Sequence, residues 1–232
     1  MKIVAIVLAG GNGTRMKQDT PKQYLTIAGK PLLYYSLKTF QESILIDEII
    51  LVTKSGEEER CKKEFVEQYG FTKVVAVVAG GKERYHSVFA GLQVITSCDY
   101  VMIHDGARPL LTTKMISDMA EGVQQYQACV LGVPVKDTIQ MVDEKNNICS
   151  TPKRSLLWQA QTPQAFSFEL VRDAYKNIID EKKIEVTDDA MVVSQYYDMP
   201  IHMILGDYTN IKVTTPEDIQ IAEAFLLSCI RI

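Results

Sequence analysis

Ile3-Val4-Ala5-Ile6-Val7-Leu8-Ala9-Gly10-Gly11-Asn12-Gly13-Thr14-Arg15-Met16 opens the chain with an apolar run that ends in a glycine-rich turn. Continuous apolar residues from Ile3 to Leu8 read as a strand buried on both faces, the kind found inside parallel sheets. Gly10, Gly11 and Gly13 let the backbone turn sharply and bring several N–H donors close to a polyanion. Arg15 and, after Pro21, Lys22 stand one short loop apart, placed to neutralise charge on that anion. The turn matches neither common glycine signature. A P-loop needs G-x-x-x-x-G-K-[ST], and a dinucleotide fingerprint needs a third glycine where Met16 stands. Read alone, a surface turn with two solvated cations accounts for the stretch equally well.

Outward from this turn, β-branched runs at 3–8, 48–53, 73–78, 100–104, 128–135 and 201–205 predict strands. Helical patterns fall between them at 31–41, 57–68, 85–95, 113–125, 168–179, 188–196 and 216–228. The alternation implies βαβ units, hence an α/β fold with a Rossmann-like, mostly parallel sheet flanked by helices. We expect one domain over 1–232. Ligands on such sheets bind beyond the carboxyl ends of strands. The first glycine turn, Gly80-Gly81 and His104-Asp105 each follow a predicted strand, so all three should gather on one rim.

Residues 136–158 break the alternation. Thr138 to Val142 and Ile148 to Thr151 flank the polar turn Asp143-Glu144-Lys145-Asn146-Asn147, which predicts a protruding β-hairpin. An isolated hairpin is marginal in water, so we expect this one to serve as a dimerisation arm.

The bulk numbers exclude several classes. A net charge of −4 disfavours a nucleic-acid groove, which needs a basic face. The five cysteines are widely spaced without a C-x-x-C pair, which points to reduced thiols and a cytoplasmic protein. Three histidines are too few for a histidine-rich metal centre. No apolar stretch is long enough to cross a bilayer, and the first strand begins without a cleavable leader, so no membrane association is expected.

Chemistry-bearing residues cluster at the strand ends. Asp105, in Ile103-His104-Asp105-Gly106-Ala107-Arg108-Pro109, is a natural magnesium-orienting carboxylate, since Mg²⁺ takes one or two carboxylates and completes its shell with phosphates and water. Arg108 either holds Asp105 or contacts phosphate. In Ala79-Gly80-Gly81-Lys82-Glu83-Arg84-Tyr85-His86-Ser87, the first-turn N–H groups and Ser87 face a base or ribose, unless Ser87 simply starts a helix. Thr187 reads as an N-cap, and Thr215 with Asp218 as a capping box with Pro216 at the first helical position. Lys212, between Ile211 and Val213, calls for an anionic partner.

Together these residues resemble the 2-C-methyl-D-erythritol 4-phosphate cytidylyltransferase family. The likeness runs through G-x-G-x-R-M with P-K-Q, the glycine turn at Val78–Gly81 with Ser87, and H-D-[AG]-A-R-P. It continues through V-P-V-K-D-T-I at 133–139, L-W-x-x-Q-T-P-Q-x-F at 157–166, T-D-[DE]-A at 187–190 and N-I-K-V-T-x-P-[DE]-D at 210–218.

The resemblance implies a fold of nucleotidyltransferase type. It implies transfer of CMP from CTP to a sugar-alcohol phosphate with release of pyrophosphate, using Mg²⁺. It gives Ala9, Gly10, Gly11 and Gly13 to the triphosphate, Arg15 and Lys22 to the transition state, Gly81 and Ser87 to the nucleoside, and Asp105 to the metal. Arg154, Thr187 and Lys212, with Asp137 and Thr138 beside them, fall to the second substrate. The arm then crosses to the partner of a homodimer, and Arg154 serves the neighbour's site. Leu8-Ala9-Gly10-Gly11 is closer to a sister family that uses D-ribitol 5-phosphate, whereas Gly106-Ala107, Leu157-Trp158 and Thr187–Ala190 favour methylerythritol phosphate. A catalytically silent nucleotide-binding relative is the reading from another class, and retention of Arg15, Lys22, Asp105, Arg154 and Lys212 together argues against it.

Overall fold

A computed structural model describes residues 1–11, 24–179 and 186–230. Its centre is a seven-stranded sheet built from β1 (Ile3–Ala9), β4 (Glu48–Thr53), β5 (Val74–Ala79), β6 (Tyr100–Asp105), β7 (Ala128–Pro134), β10 (Trp158–Ser167) and β11 (His202–Leu205). The spatial order is β11-β7-β10-β6-β1-β4-β5. All pairings are parallel except those that β10 makes with β6 and β7. The expected mostly parallel α/β sheet is therefore present. Short pairs β2 (Thr26–Ile27) with β3 (Lys30–Pro31), and β8 (Met141–Val142) with β9 (Ile148–Ser150), lie outside it.

The apolar runs read from the sequence make the central strands, and helices cover both faces. Ile3 to Val7 are fully buried, as are Leu51 and Ile103. One face packs against α1 (Leu32–Glu42), α4 (Thr113–Tyr126) and α2 (Glu58–Cys61), which runs on as a π-helical turn at Lys62–Glu67. The other face packs against α3 (Arg84–Gln93), α5 (Phe168–Ile179) and α6 (Asp189–Tyr196). A smaller cluster joins α7 (Pro216–Ile230) to Ile27, Leu32, Ala107 and Val213. No helix among the described residues is long and apolar enough to cross a membrane.

This topology places a crevice. The connection leaving β1 passes to β4 on one side, while β6 returns to pair with β1 on the other. Strand order thus diverges at the carboxyl ends of β1 and β6, where open α/β sheets bind ligands. Register aligns the ends: Ala9 lies opposite Thr53, and Leu8 opposite Asp105.

Two local features depart from expectation. The residue before α6 that caps it is Asp188, whose Oδ1 accepts the Met191 N–H at 2.9 Å, not Thr187. Thr187 is exposed, and its Oγ1 meets Met191 Sδ. The second is an omission: β10 is absent from the expected strands because three glutamines and a proline interrupt any apolar period. The hairpin at 136–158 does form, with Asp143 Oδ1 accepting the Lys145 and Asn147 N–H groups at 2.9 and 2.8 Å across its turn.

Candidate active site

The carboxyl ends of β1, β4, β5 and β6 enclose a cavity of about 520 Å³, lined among others by Ala9, Gly10, Gly11, Lys54, Gly81, Arg84, Ser87, Asp105 and Lys212. The glycine turn, the second glycine turn and the strand-ending aspartate therefore meet on one rim, as the strand ends imply.

Each glycine turn is shaped by close approach. A Cβ on Gly10 would stand 3.2 Å from the Thr53 carbonyl oxygen, and one on Gly81 only 2.3 Å from His86 Cβ. Ser87, buried at the start of α3, accepts the Gly81 N–H at 3.2 Å and so pins this turn against its helix. Glu83 caps α3 through a reciprocal box: its side chain accepts from the His86 backbone, and His86 Nδ1 accepts the Glu83 N–H at 3.2 Å. Helix and turn are one rigid corner of the pocket.

Asp105 is the electrostatic centre. Its Oδ2 meets Lys212 Nζ at 2.6 Å and its Oδ1 meets Arg84 Nε at 3.3 Å. Burial works against its charge, but Arg84 and Lys212 override that and hold the carboxyl far below the usual carboxylate range. Arg84 is itself anchored. Its Nη1 and Nη2 donate to Asp189 at 2.7 and 2.8 Å, a bidentate pair with a fully buried carboxylate. Tyr175, also fully buried, donates to the same Asp189 at 2.5 Å. Burial disfavours the Arg84 cation, yet Asp189 and Asp105 raise its pKa well above the ordinary value.

The backbone at Asp105 is braced from behind. Its N–H donates to Thr162 Oγ1 at 3.1 Å, so the Thr162 hydroxyl hydrogen is left for His104 Nδ1, also at 3.1 Å. With Nδ1 accepting, His104 carries its proton on Nε2 and donates to the Arg108 carbonyl at 3.3 Å. Full burial fits the neutral form and pushes the His104 pKa down to about 4. Arg108 donates its backbone N–H to the Asp105 carbonyl at 2.9 Å, but its guanidinium makes no ion pair with the Asp105 carboxylate among the described residues. Its Nη1 donates to the Asn210 carbonyl at 2.7 Å, and Asn210 Nδ2 donates to the Thr162 carbonyl at 3.0 Å. Asn210 and Val213 are fully buried, so the loop that carries Lys212 is fixed on both sides of it.

Of the site residues expected from the sequence, Ala9, Gly10, Gly11, Gly81, Ser87, Asp105 and Lys212 line this cavity. Gly13, Arg15 and Lys22 lie outside the described residues. Asp137 and Thr138 are exposed on the arm, and Arg154 begins a 3₁₀ turn there, its Nη1 donating to the Lys136 carbonyl at 3.1 Å. These three and Thr187 do not line the cavity of the single chain. Sequence reasoning missed Lys54 and Ser55, which follow β4, although the strand-end rule applied to 48–53 would have found them. It also missed Arg84 with Asp189, a pair 105 residues apart that no local pattern reveals.

As to metal, Asp105 is a hard oxygen donor at the cavity wall, of the type Mg²⁺ takes, and no cluster of further acidic, histidine or cysteine ligands exists among the described residues. That donor set fits a cation that arrives with most of its ligands supplied by phosphate.

The family model described as IspD, 2-C-methyl-D-erythritol 4-phosphate cytidylyltransferase, matches residues 3–228. A protein of that name from Lachnoclostridium phytofermentans is 47% identical over 225 residues, covering 97% of this chain and 96% of the relative. One from Lachnospira eligens is 48% identical over 223 residues, covering 96% and 98%. The crystal structure of 4-diphosphocytidyl-2C-methyl-D-erythritol synthase from Anaerococcus prevotii superposes with a TM-score of 0.86 at 31% identity, covering 97% of this chain and 96% of that one. The family model and these relatives span nearly the whole chain, and the chain belongs to the 2-C-methyl-D-erythritol 4-phosphate cytidylyltransferase (IspD) family.

Proposed function

We propose that this chain transfers CMP from CTP to 2-C-methyl-D-erythritol 4-phosphate, giving 4-diphosphocytidyl-2-C-methyl-D-erythritol and pyrophosphate in the cytoplasm. The observation that carries the reading is Asp105: an ionised carboxylate between Arg84 and Lys212, on the rim made by Gly10, Gly11 and Gly81. A phosphate oxygen of the acceptor attacks the α-phosphorus of CTP, the new P–O bond forms, and the bond to the β-phosphate breaks with its electron pair leaving on pyrophosphate. The acceptor phosphate is ionised at neutral pH, so neither a strong base nor a covalent nucleophile is needed.

What the reaction needs is positive charge. Two like unit charges about 4 Å apart repel by roughly 4 kcal/mol at an effective dielectric near 20. Lys212 offsets that repulsion at the acceptor, and Arg15 and Lys22 offset it at the transferring phosphorus. The Gly10–Gly81 rim and Ser87 orient the nucleotide, with Ala9, Gly11 and Gly13 on the triphosphate. Asp105 would hold Mg²⁺, which supplies charge neutralisation on the triphosphate when bound.

Arg154, with Asp137 and Thr138 beside it, completes the acceptor site of a second copy across a homodimer, the arm at 136–158 crossing to it, and Thr187 joins Lys212 at the acceptor phosphate. The exposed Ile139, Met141, Val142, Ile148 and Leu156 on that arm support this assembly.

The test is pyrophosphate release with CTP and Mg²⁺, offering 2-C-methyl-D-erythritol 4-phosphate and D-ribitol 5-phosphate in parallel. The expected result is a strong preference for the former. Preference for ribitol phosphate would reassign the acceptor, and silence with both would overturn the enzymatic reading.

A further inference from the structure

Asp105 holds two cations that differ in how firmly they are attached. Arg84 reaches it through one N–H while both of its terminal nitrogens are committed to the buried Asp189. It is a fixed strut: moving it would strand a carboxylate with no exposure to water. Lys212 reaches Asp105 through a single ammonium on a flexible stem, and its side chain is 37% exposed. Its backbone is fixed by the buried Asn210 and Val213, so only the side chain needs to move. A cation bound to triphosphate that takes Asp105 Oδ2 as a ligand competes with Lys212, whose ammonium sits on that oxygen, and leaves Arg84 on Oδ1.

We propose that Lys212 is an exchangeable counter-ion of Asp105, released to the acceptor phosphate only when a metal-bound nucleotide takes its place. Asp189 and Arg84 are positioning residues that keep Asp105 in place through the exchange. The consequence is positive coupling between the two substrates: before nucleotide arrives, Lys212 is occupied and the acceptor site lacks its cation. This rests on the assignment of Lys212 to the acceptor phosphate in the function proposed above.

Isothermal titration calorimetry of 2-C-methyl-D-erythritol 4-phosphate tests it, first on the protein alone and then with Mg²⁺ and α,β-methylene CTP, which cannot transfer. Lys212→Met should leave acceptor affinity within about twofold of wild type without nucleotide and weaken it about tenfold or more with nucleotide, an ordinary coupling strength. Asp105→Asn should strengthen acceptor binding to the nucleotide-free protein about tenfold, and adding Lys212→Met should abolish that gain. Equal weakening by Lys212→Met in both states overturns the proposal. So does a gain in Asp105→Asn that survives loss of Lys212, because it would reflect only relief of general repulsion. If Asp105→Asn does not fold, as thermal unfolding would show, the two-state comparison of Lys212→Met decides alone. Wild-type turnover with each acceptor is measured first. Preference for D-ribitol 5-phosphate corrects the acceptor, and the same titrations with that ligand then decide whether the exchange occurs.

Discussion

His104 makes the fold acid-sensitive by a calculable amount. It is fully buried, and burial is the main reason its pKa falls from 6.5 to about 4, with Asp105 opposing the shift and Arg108 adding to it. A folded-state pKa below the unfolded one means that the unfolded chain takes up the proton first as pH drops. The stabilisation is complete above about pH 6.5 and is lost on the way down towards pH 4. Between pH 7 and pH 5 the linkage relation gives a loss of about 2 kcal/mol. Asp105 does not confuse this window. Although burial raises its pKa, Arg84 and Lys212 depress it strongly, so its contribution is present above the ordinary value of 3.8 and disappears only below it. The measurement is urea unfolding at both pH values for wild type and His104→Gln, in which an amide N–H keeps a donor for the Arg108 carbonyl. The variant should start less stable at pH 7 and lose about 2 kcal/mol less than wild type on going to pH 5. Equal losses in the two proteins would refute the assignment of a neutral His104.

Two further outcomes follow from the site's construction. Asp189→Asn removes the fully buried charge that balances half-buried Arg84 and should cost about 3 kcal/mol, which in a chain of this size lowers Tm by about 10 °C. A calorimetric shift below about 2 °C would mean that the bidentate pair contributes little. Gly81→Ala puts a Cβ 2.3 Å from His86 Cβ, so the turn must move away from Ser87. Its KM for CTP should rise about tenfold, one 1.4 kcal/mol interaction, and overpacking the rigid corner should cost about 1–3 kcal/mol of stability, whereas a wild-type KM would detach Gly81 from the nucleotide.

Much of this architecture was readable because burial leaves a plain signature. Fully buried strands such as β1 and β4 show as unbroken apolar runs, and their ends at Ala9 and Thr53 locate the rim. The capping of α7 was readable for a local reason: Asp218 Oδ2 accepts the Thr215 N–H at 2.8 Å, and Pro216 begins the helix. Thr187 failed as a cap because Asp188, one residue on, offers a carboxylate to the same helix end, and sequence alone does not rank two adjacent cap residues. Arg84 and Asp189 stand in separate sequence motifs, and neither motif shows that the two residues meet. Only the fold brings them together.

The segment hardest to read turns out to organise the site. Gln161, Thr162 and Gln164 of β10 are nearly or fully buried, so each must find hydrogen-bond partners. Gln161 Nε2 donates to the Asp207 carbonyl at 2.8 Å and its Oε1 accepts from Asn210, which holds the Lys212 loop. Thr162 accepts the Asp105 N–H. Gln164 Oε1 accepts the Asp189 and Ala190 N–H groups at 3.0 and 2.9 Å, which fixes the first turn of α6 and hence the carboxylate that anchors Arg84. The register of β10 against β7 slips between Ala160 and Gln164, within the same stretch that these side chains use. An apolar strand here would satisfy the sheet equally well and leave the Lys212 loop, the end of β6 and the first turn of α6 without these supports. The polar residues that broke the strand pattern are therefore the ones that set the distances around Asp105. A sequence reading tuned to hydrophobic period is bound to miss such a strand, because its burial is carried by hydrogen bonds instead.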